Sequence, residues 1–327
     1  MWLGSEVVAL DPHALAGRVL HDVTMASGGF SGETFAGLWF RQRAYVRLYL
    51  RDPGRAAVDL ALMRRLEGIL PLAKVLGAVT DVPTSAGDLP AHIVTAAVPG
   101  QRGDTLLEAG APLPAARAMG RQGARVVSVL RQVTFDAAGP FTDRTLTVGE
   151  WPPSFETLVG LAHHLRPGLL AAGLDTSEGS PLMAALAAAD ARRAAAEAQR
   201  PCLVHGDLNG KNLVLDPNTG RLRAVLDWEH AHAGSWLADA GNLLRGIGPA
   251  PTAPALAFRE GFVDALHEGL LAERSPGSSP APDWPASARD HDLFAVLELA
   301  ARPTAGHEPA APVAAARDLL RGLRTGG

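Results

Sequence analysis

The chain has 327 residues, a formal charge of −4 at neutral pH, 47% hydrophobic residues and 20% charged ones. That balance belongs to a folded globular protein and excludes a disordered chain, while the small negative charge and the lack of a basic stripe argue against a nucleic-acid partner. No stretch of about 18 apolar residues lacks charge, so no membrane span is expected, and a single cysteine, Cys202, excludes an internal disulfide and suits a reducing cytoplasm.

The opening "MWLGSEVVALDPHAL" has no basic flank and no long apolar run, so no signal peptide is expected. Only two lysines, Lys74 and Lys211, occur among the 30 basic residues. Any role that usually needs a lysine therefore falls to an arginine.

From about Val23 to Val98 the chain reads as strands. "VTMASGGFSGETFAGLWF" has the pattern strand, glycine turn, strand, and "AYVRLYL" alternates strictly, with Tyr45, Arg47 and Tyr49 on one face and Val46, Leu48 and Leu50 on the other. After the turn "RDPGR", the spacing of Val58, Leu62, Leu66 and Ile69 predicts a helix. "KVLGAV" and "AHIVTAAV" read as two further strands, closed by Pro99-Gly100. Five strands and one inserted helix make a small α+β lobe.

Beyond Gly100 the pattern turns helical: residues 105–135, 181–199, 254–273, 286–301 and the tail from 311 are Ala/Leu/Arg-rich with helical period. Strands return only at 201–227, as "CLVHGD", "NLVLD", the turn "PNTG" and "LRAVLDW". "RSPGSSPAPDWP" reads as a flexible insert between two late helices.

The chemistry-bearing residues gather in "LVHGDLNGKNLVLD". Asp207 and Asn212 lie five apart, and Asp227 follows fifteen residues later, after a hairpin. Asp and Asn also favour turns in any fold, but a loop followed by a hairpin can bring these three oxygen-bearing side chains to one point. Two carboxylates and an amide suit a hard cation such as Mg²⁺, and a carboxylate beside the metal can orient a hydroxyl and accept its proton.

The run "HGDLNGKNLVLD…AVLDWEHAHAGSWLADAGNLL" resembles the catalytic core of the aminoglycoside phosphotransferase and choline kinase family, relatives of the protein kinases. The resemblance covers nearly the whole chain. It implies an α+β, two-lobed protein-kinase-like fold: a nucleotide-binding lobe over residues 1–98, with a five-stranded antiparallel sheet and a helix, and a mainly helical catalytic lobe over 99–327 carrying a β-hairpin. The hinge falls at about 95–100. It further implies Asp207 as the catalytic base, Asn212 and Asp227 as Mg²⁺ ligands, Asp239 as a buried brace of the catalytic loop, and His205 as a residue that shapes that loop.

In the nucleotide lobe, "SGGFSGETF" places Gly28, Gly29, Ser31 and Gly32 in a turn where backbone amides can approach phosphate oxygens, although hairpin turns are glycine-rich in general. The family pattern has a lysine on the third strand and a glutamate on the next helix; this chain departs from both. Arg47 takes the lysine's place, with Arg51 as a second candidate, and Asp59 is expected to pair with Arg47 in place of the glutamate. Backbone groups of Ala96 to Val98 would meet the purine, whether of ATP or GTP. Lys211 could touch the transferred phosphoryl group, but a solvated or structural role is favoured. Trp228, Glu229 and the pair His163-His164 are candidates for the acceptor side.

Residues 105–200 carry nine Asp/Glu against nine Arg, and 250–327 carry ten against seven. This near-neutral balance favours a sugar-bearing or nucleoside antibiotic, or a small metabolite, over a strongly cationic aminoglycoside. The expected activity is therefore transfer of a γ-phosphoryl group to the hydroxyl of a small molecule in the cytoplasm, with no nucleic acid, membrane or obligate protein partner. A metabolite kinase of choline-, homoserine- or sugar-kinase type and a nucleotide-binding pseudokinase without turnover are the competing readings.

Overall fold

The computed structural model describes residues 11–26, 33–81, 88–196, 200–245, 251–273, 283–304 and 310–323. The chain divides into two compact units. The first comprises Met1–Pro99, Thr142–Thr147 and Ala224–Glu229; the second comprises Gly100–Phe141, Val148–Arg223 and His230–Gly327.

Among the described residues, the first element of the first unit is a short helix, α1 (Pro12–Gly17), which the sequence pattern did not predict. Asp11 caps it by accepting a hydrogen bond from the His13 amide at 3.0 Å. Five strands follow: β1 (His21–Met25), β2 (Thr34–Trp39), β3 (Gln42–Leu48), β4 (Val75–Val79) and β5 (His92–Ala96), with helix α2 (Arg55–Leu66) between β3 and β4. They form the expected five-stranded antiparallel sheet, and its order is β1-β2-β3-β5-β4.

The two-residue period of β3 fixes its register. Ala44, Val46 and Leu48 enter a core with Leu15, Leu20, Phe35 and Val94, so Arg47 must face the other way, opposite Ile93. On that second face Tyr49, Ala56, Leu60 and Ile93 pack together, joining α2 to the sheet.

Helix α2 buries Val58, Leu62 and Leu66, as its spacing predicts, but stops before Ile69, which is 49% exposed. Gly68, at φ +76°, takes the left-handed conformation that ends helices, so the periodic series ran one turn too far.

The second unit opens with β6 (Gln101–Arg102) and helices α3 (Gly103–Glu108) and α4 (Leu113–Arg131), followed by β7 (Gly139–Pro140). A turn of 3-10 helix at Pro153–Phe155 leads to α5 (Leu158–His164), α6 (Arg166–Ala171) and α7 (Pro181–Ala196). Then come β8 (Cys202–Val204), a 3-10 turn at Gly210–Asn212, β9 (Leu213–Leu215), β10 (Leu222–Val225), whose last two residues fall in the first unit, and β11 (His232–Gly234). Helices α8 (Leu237–Arg245), α9 (Ala253–Ala272), α10 (Trp284–Ala300) and α11 (Ala311–Leu323) complete it.

Leucines and alanines of α5, α6, α7, α10 and α11 interlock in one apolar cluster. Helices α4 and α9 pack backbone to backbone: a Cβ on Gly120 would lie 2.0 Å from the Phe258 carbonyl oxygen, which no side chain permits. Residues 274–282 of the expected insert lie outside the described residues. Asp283, however, caps α10, and Trp284 is buried against Trp236 and Phe262.

The strands at 201–227 split between two small sheets. β9 and β10 form the expected hairpin, in a sheet of order β10-β9-β6. β8 instead joins β11 and β7, in the order β7-β11-β8. The polar segment between β8 and β9 therefore crosses from one sheet to the other.

Candidate active site

In the helical unit, the stretch after β8 is anchored from behind. Cys202, Leu203, Val204 and His205 are buried, and α8 presents Asp239 in its first turn. The Asp239 carboxylate accepts the His205 amide at 2.8 Å and the Gly206 amide at 3.0 Å. Burial raises its pKa to about 7; the two amides oppose that shift and the charge of Asp207 adds to it.

Gly206 has φ +79°, and a Cβ there would lie 2.4 Å from the His230 carbonyl oxygen. Conformation and space both require glycine at this position. The chain reverses there and presents Asp207.

Four neighbours fix Asp207. Its amide donates to Nδ1 of His205 at 3.3 Å. Asn209 donates to Oδ1 at 2.8 Å, Asn212 donates to Oδ2 at 3.1 Å, and the Lys211 ammonium lies 2.9 Å from Oδ2. Asn212 also donates to the Asp207 carbonyl at 2.8 Å, which turns its amide oxygen, the end able to ligate a cation, away from Asp207. Asn209 was missed in the sequence. Its signal is an N-cap: the side chain accepts the Lys211 amide at 3.1 Å and starts the 3-10 turn. Deeper in this unit Arg245 pairs with Asp292 at 2.7 Å, and burial raises the Asp292 pKa to about 6.

In the sheet unit, Arg47 projects from β3 and its guanidinium bonds both Asp227 and Glu229. Burial works against its charge, but these two carboxylates outweigh burial and hold its pKa above the ordinary arginine value. The guanidinium carbon also stands 5.4 Å from the Tyr49 ring centroid. Asp227 adopts φ +62°, an uncommon conformation for a residue with a side chain.

The expected Arg47–Asp59 pair is not formed. Asp59 accepts from Arg55 at 2.6 Å and from the Tyr49 hydroxyl at 2.7 Å, and is 3% exposed. Arg55 precedes Asp59 by four residues on the same helix face and reaches it first. Arg51 leans on Glu33 at 3.3 Å with its side chain 76% exposed, so of the two candidate arginines Arg47 is the enclosed one. Trp228 is buried, and its carbonyl accepts from Arg55 at 2.5 Å, so it does not line an open acceptor surface. Glu229 holds Arg47 instead.

Gly28, Gly29, Ser31 and Gly32 lie outside the described residues. The Ala96 amide donates to the Lys74 carbonyl at 2.8 Å and that of Ala97 to the Arg43 carbonyl at 3.0 Å, so both donors are taken up within the sheet unit; Val98 follows, half-buried. His163 and His164 occupy the last turn of α5 and are exposed.

The donor types of Asn212 and Asp227, an amide oxygen and a carboxylate, fit a hard cation; the Asp227 carboxylate is held by Arg47. Among the described residues no group of three or more His, Cys, Asp or Glu is placed to hold a metal, and no helix is long and apolar enough to cross a membrane.

The family model described as phosphotransferase enzyme family (APH) matches residues 22–313. No curated protein sequence matches the chain. Among solved structures, a thermostable mutant of aminoglycoside phosphotransferase APH(4)-Ia, in ternary complex with ADP and hygromycin B, is similar over 96% of this chain and 97% of its own, with TM-score 0.61 and 18% identity. The GDP complex of wild-type aminoglycoside 2'-phosphotransferase-IIIa is similar over 94% and 93%, with TM-score 0.58 and 16% identity. Aminoglycoside-3'-phosphotransferase of type VIII covers 86% of this chain and 96% of its own, with TM-score 0.52 and 20% identity. At such identities the likeness is one of fold, and it agrees with the protein-kinase-like α+β class expected from the sequence.

Proposed function

Because the chain belongs to the phosphotransferase enzyme family, we propose that it transfers the γ-phosphoryl group of ATP or GTP to a hydroxyl of a small molecule. The observation that carries this reading is the presentation of Asp207: a carboxylate on a loop held from behind by Asp239 and flanked by Asn209, Lys211 and Asn212. Such a carboxylate orients the acceptor hydroxyl and takes its proton as the oxygen attacks phosphorus. Catalysis is then mainly positioning and charge neutralisation.

Asn212 and Asp227 would hold Mg²⁺, which when bound neutralises phosphate oxygens. Arg47 and the glycine turn at Gly28, Gly29, Ser31 and Gly32 would receive the rest of the triphosphate, and the backbone near Val98 the purine. Residues 1–98 would form the nucleotide lobe and 99–327 the catalytic lobe of a cytoplasmic enzyme that needs no nucleic acid, membrane or protein partner. The balanced charge of the helical segments supports a sugar-bearing or nucleoside antibiotic, or a metabolite, as acceptor in preference to a polycation.

A coupled assay of ADP and GDP release tests this, with wild type and Asp207→Ala run against a panel of hydroxylated antibiotics and metabolites. Acceptor-dependent release by the wild type alone supports the enzyme. One observation favours a second reading, a nucleotide-binding pseudokinase: Arg47 engages the very carboxylate, Asp227, that a cation would use. Nucleotide binding with no release across the panel selects that reading.

A further inference from the structure

Arg47 is read as a partner for phosphate and Asp227 as a ligand for a cation, yet in the protein the two hold each other. One terminal nitrogen of the Arg47 guanidinium bonds Asp227 and the other bonds Glu229. Trp228, between these acids, is buried, and its carbonyl accepts from Arg55 at 2.5 Å. Arg55 is anchored in turn on Asp59 at 2.6 Å. The acid-bearing segment is therefore fixed at its main chain, and the partner able to swing is the long side chain of Arg47. Its buried Nε has no hydrogen-bond partner among the described residues, so the fork is held by its two tips, above the Tyr49 ring.

Charge decides what else can reach Asp227. The Asp227 and Glu229 side chains are 31% and 30% exposed, so a dissolved cation has access to them. A divalent ion on Asp227 would stand beside the guanidinium, and in partly buried surroundings that repulsion is weakly screened. An arginine keeps its proton in a protein, so Arg47 can yield only by moving. The other acids nearby offer it no new place: Glu33 holds Arg51 at 3.3 Å, and Asp59 is taken by Arg55 and the Tyr49 hydroxyl. A triphosphate does offer one, because its oxygens match the planar fork of a guanidinium. Once Arg47 turns to phosphate, the charge of Asp227 is left for a cation.

We propose that Arg47 is a latch on the cation site: it keeps Mg²⁺ off Asp227 until the phosphates of a nucleotide draw the guanidinium away. The proposal rests on the phosphotransferase reading above and adds the order in which donor nucleotide and cation are taken up. Arg47 is thus a positioning residue for the cation as well as a partner of the nucleotide. The device depends on arginine, since the compact ammonium of a lysine offers no fork to fix two carboxylates at once. No covalent bond changes; the coupling is one of binding, and each ligand favours the other.

The test titrates Mn²⁺, a paramagnetic stand-in for Mg²⁺, into nucleotide-free protein and reads the free ion by electron paramagnetic resonance. Arg47→Ala is expected to bind Mn²⁺ about tenfold or more tightly than the wild type, because the repelling charge is gone. Arg51→Ala, which removes a neighbouring charge outside the latch, should show no such gain, and Asp227→Asn in the Arg47→Ala background should abolish it. ATP titrated in EDTA should bind the wild type, and bind Arg47→Ala about tenfold more weakly, since its phosphates lose the fork. Matched thermal midpoints check folding. Arg47→Lys, which keeps the charge and loses the fork, repeats the titration and should show a smaller gain in Mn²⁺ affinity.

Mn²⁺ affinity unchanged in both Arg47 variants, a gain that Arg51→Ala matches, a gain that survives Asp227→Asn, or metal-free ATP binding indifferent to Arg47→Ala would each overturn the latch. The release assay above judges the enzyme separately. Acceptor-dependent turnover with no effect of Arg47 on Mn²⁺ overturns the latch alone; the expected gain in Mn²⁺ affinity with no turnover on any acceptor upholds the latch and overturns the phosphotransferase reading.

Discussion

The guanidinium of Arg47 is held by the carboxylate of Glu229, two residues beyond Asp227, and not by Asp59 on α2. The acid that steadies the enclosed guanidinium of β3 therefore comes from the segment after β10, and Glu229 is a positioning residue for Arg47. With Glu229→Gln, Arg47 keeps Asp227 but loses one of its two charged partners, and its fork is free to turn. The KM for nucleotide is expected to rise several-fold, with acceptor KM unchanged, and Arg47→Ala should raise it further, about tenfold or more. Steady-state kinetics with each substrate varied in turn decides the matter. A Glu229→Gln enzyme with wild-type nucleotide KM would remove Glu229 from this role.

Asp59 carries the opposite expectation. It is buried under Arg55 and the Tyr49 hydroxyl, and burial raises its pKa in spite of the nearby arginine. Replacing it by Ala leaves the Arg55 charge and the Tyr49 hydroxyl without their shared acceptor. Breaking such a pair destabilises a fold by about 3 kcal/mol. Urea denaturation should therefore show a clear loss for Asp59→Ala, while the folded variant keeps its nucleotide KM. A large change in nucleotide KM at unchanged stability would restore Asp59 to the nucleotide site.

The contrast between these two residues marks what the sequence could carry. The alternation of "AYVRLYL" set which face of β3 is apolar, and with it the direction of Arg47. The helical periods located α2 and the late helices, the spacing of Asp207 and Asn212 marked the loop, and the resemblance to the kinase-like family implied His205 and Asp239 as its supports. The partner of Arg47 could not be read that way, because several acids were compatible by charge and only tertiary packing chose Glu229. One local signal was available: Arg55, four residues before Asp59, already satisfied that acid. Gly68 likewise announced the end of α2. The placement of β8 beside β11 had no local signal, since a three-residue strand buried on both faces carries no period to show its neighbour.

Lys211 reads in the sequence as a solvated or structural residue, yet its ammonium lies 2.9 Å from Oδ2 of Asp207. Asn209 and Asn212 still hold the carboxylate when that charge is removed, so Lys211→Met should keep the loop in place. Loss of a preorganised charge beside the reacting group is expected to lower kcat roughly tenfold or more, with both KM values near wild type. In the Asp207→Asn background the same substitution should cost much less, because the two residues act as a unit. Equal losses in both backgrounds would show that Lys211 acts independently of Asp207.

Asp239 gives the loop brace a pH dependence. Burial raises its pKa from the ordinary 3.8 to about 7, so the folded chain retains a proton that the unfolded chain releases near pH 4. The stability from this protonated carboxyl is complete below pH 4 and is lost as pH rises through 7, a change on the order of 4 kcal/mol at most. Asp292, raised to about 6 by burial, acts in the same direction. The carboxylates Asp143 and Asp216, lowered to about 2 by hydrogen bonds from Thr145 and from Arg223 respectively, titrate below this window and do not mask it. Denaturation midpoints measured between pH 4 and pH 8 should therefore fall with rising pH. Asp239→Asn, less stable at every pH because its amide cannot accept both backbone amides in the same way, should show a shallower fall. A wild-type midpoint that is flat or rises from pH 4 to pH 7 would mean that Asp239 is already ionised across the window.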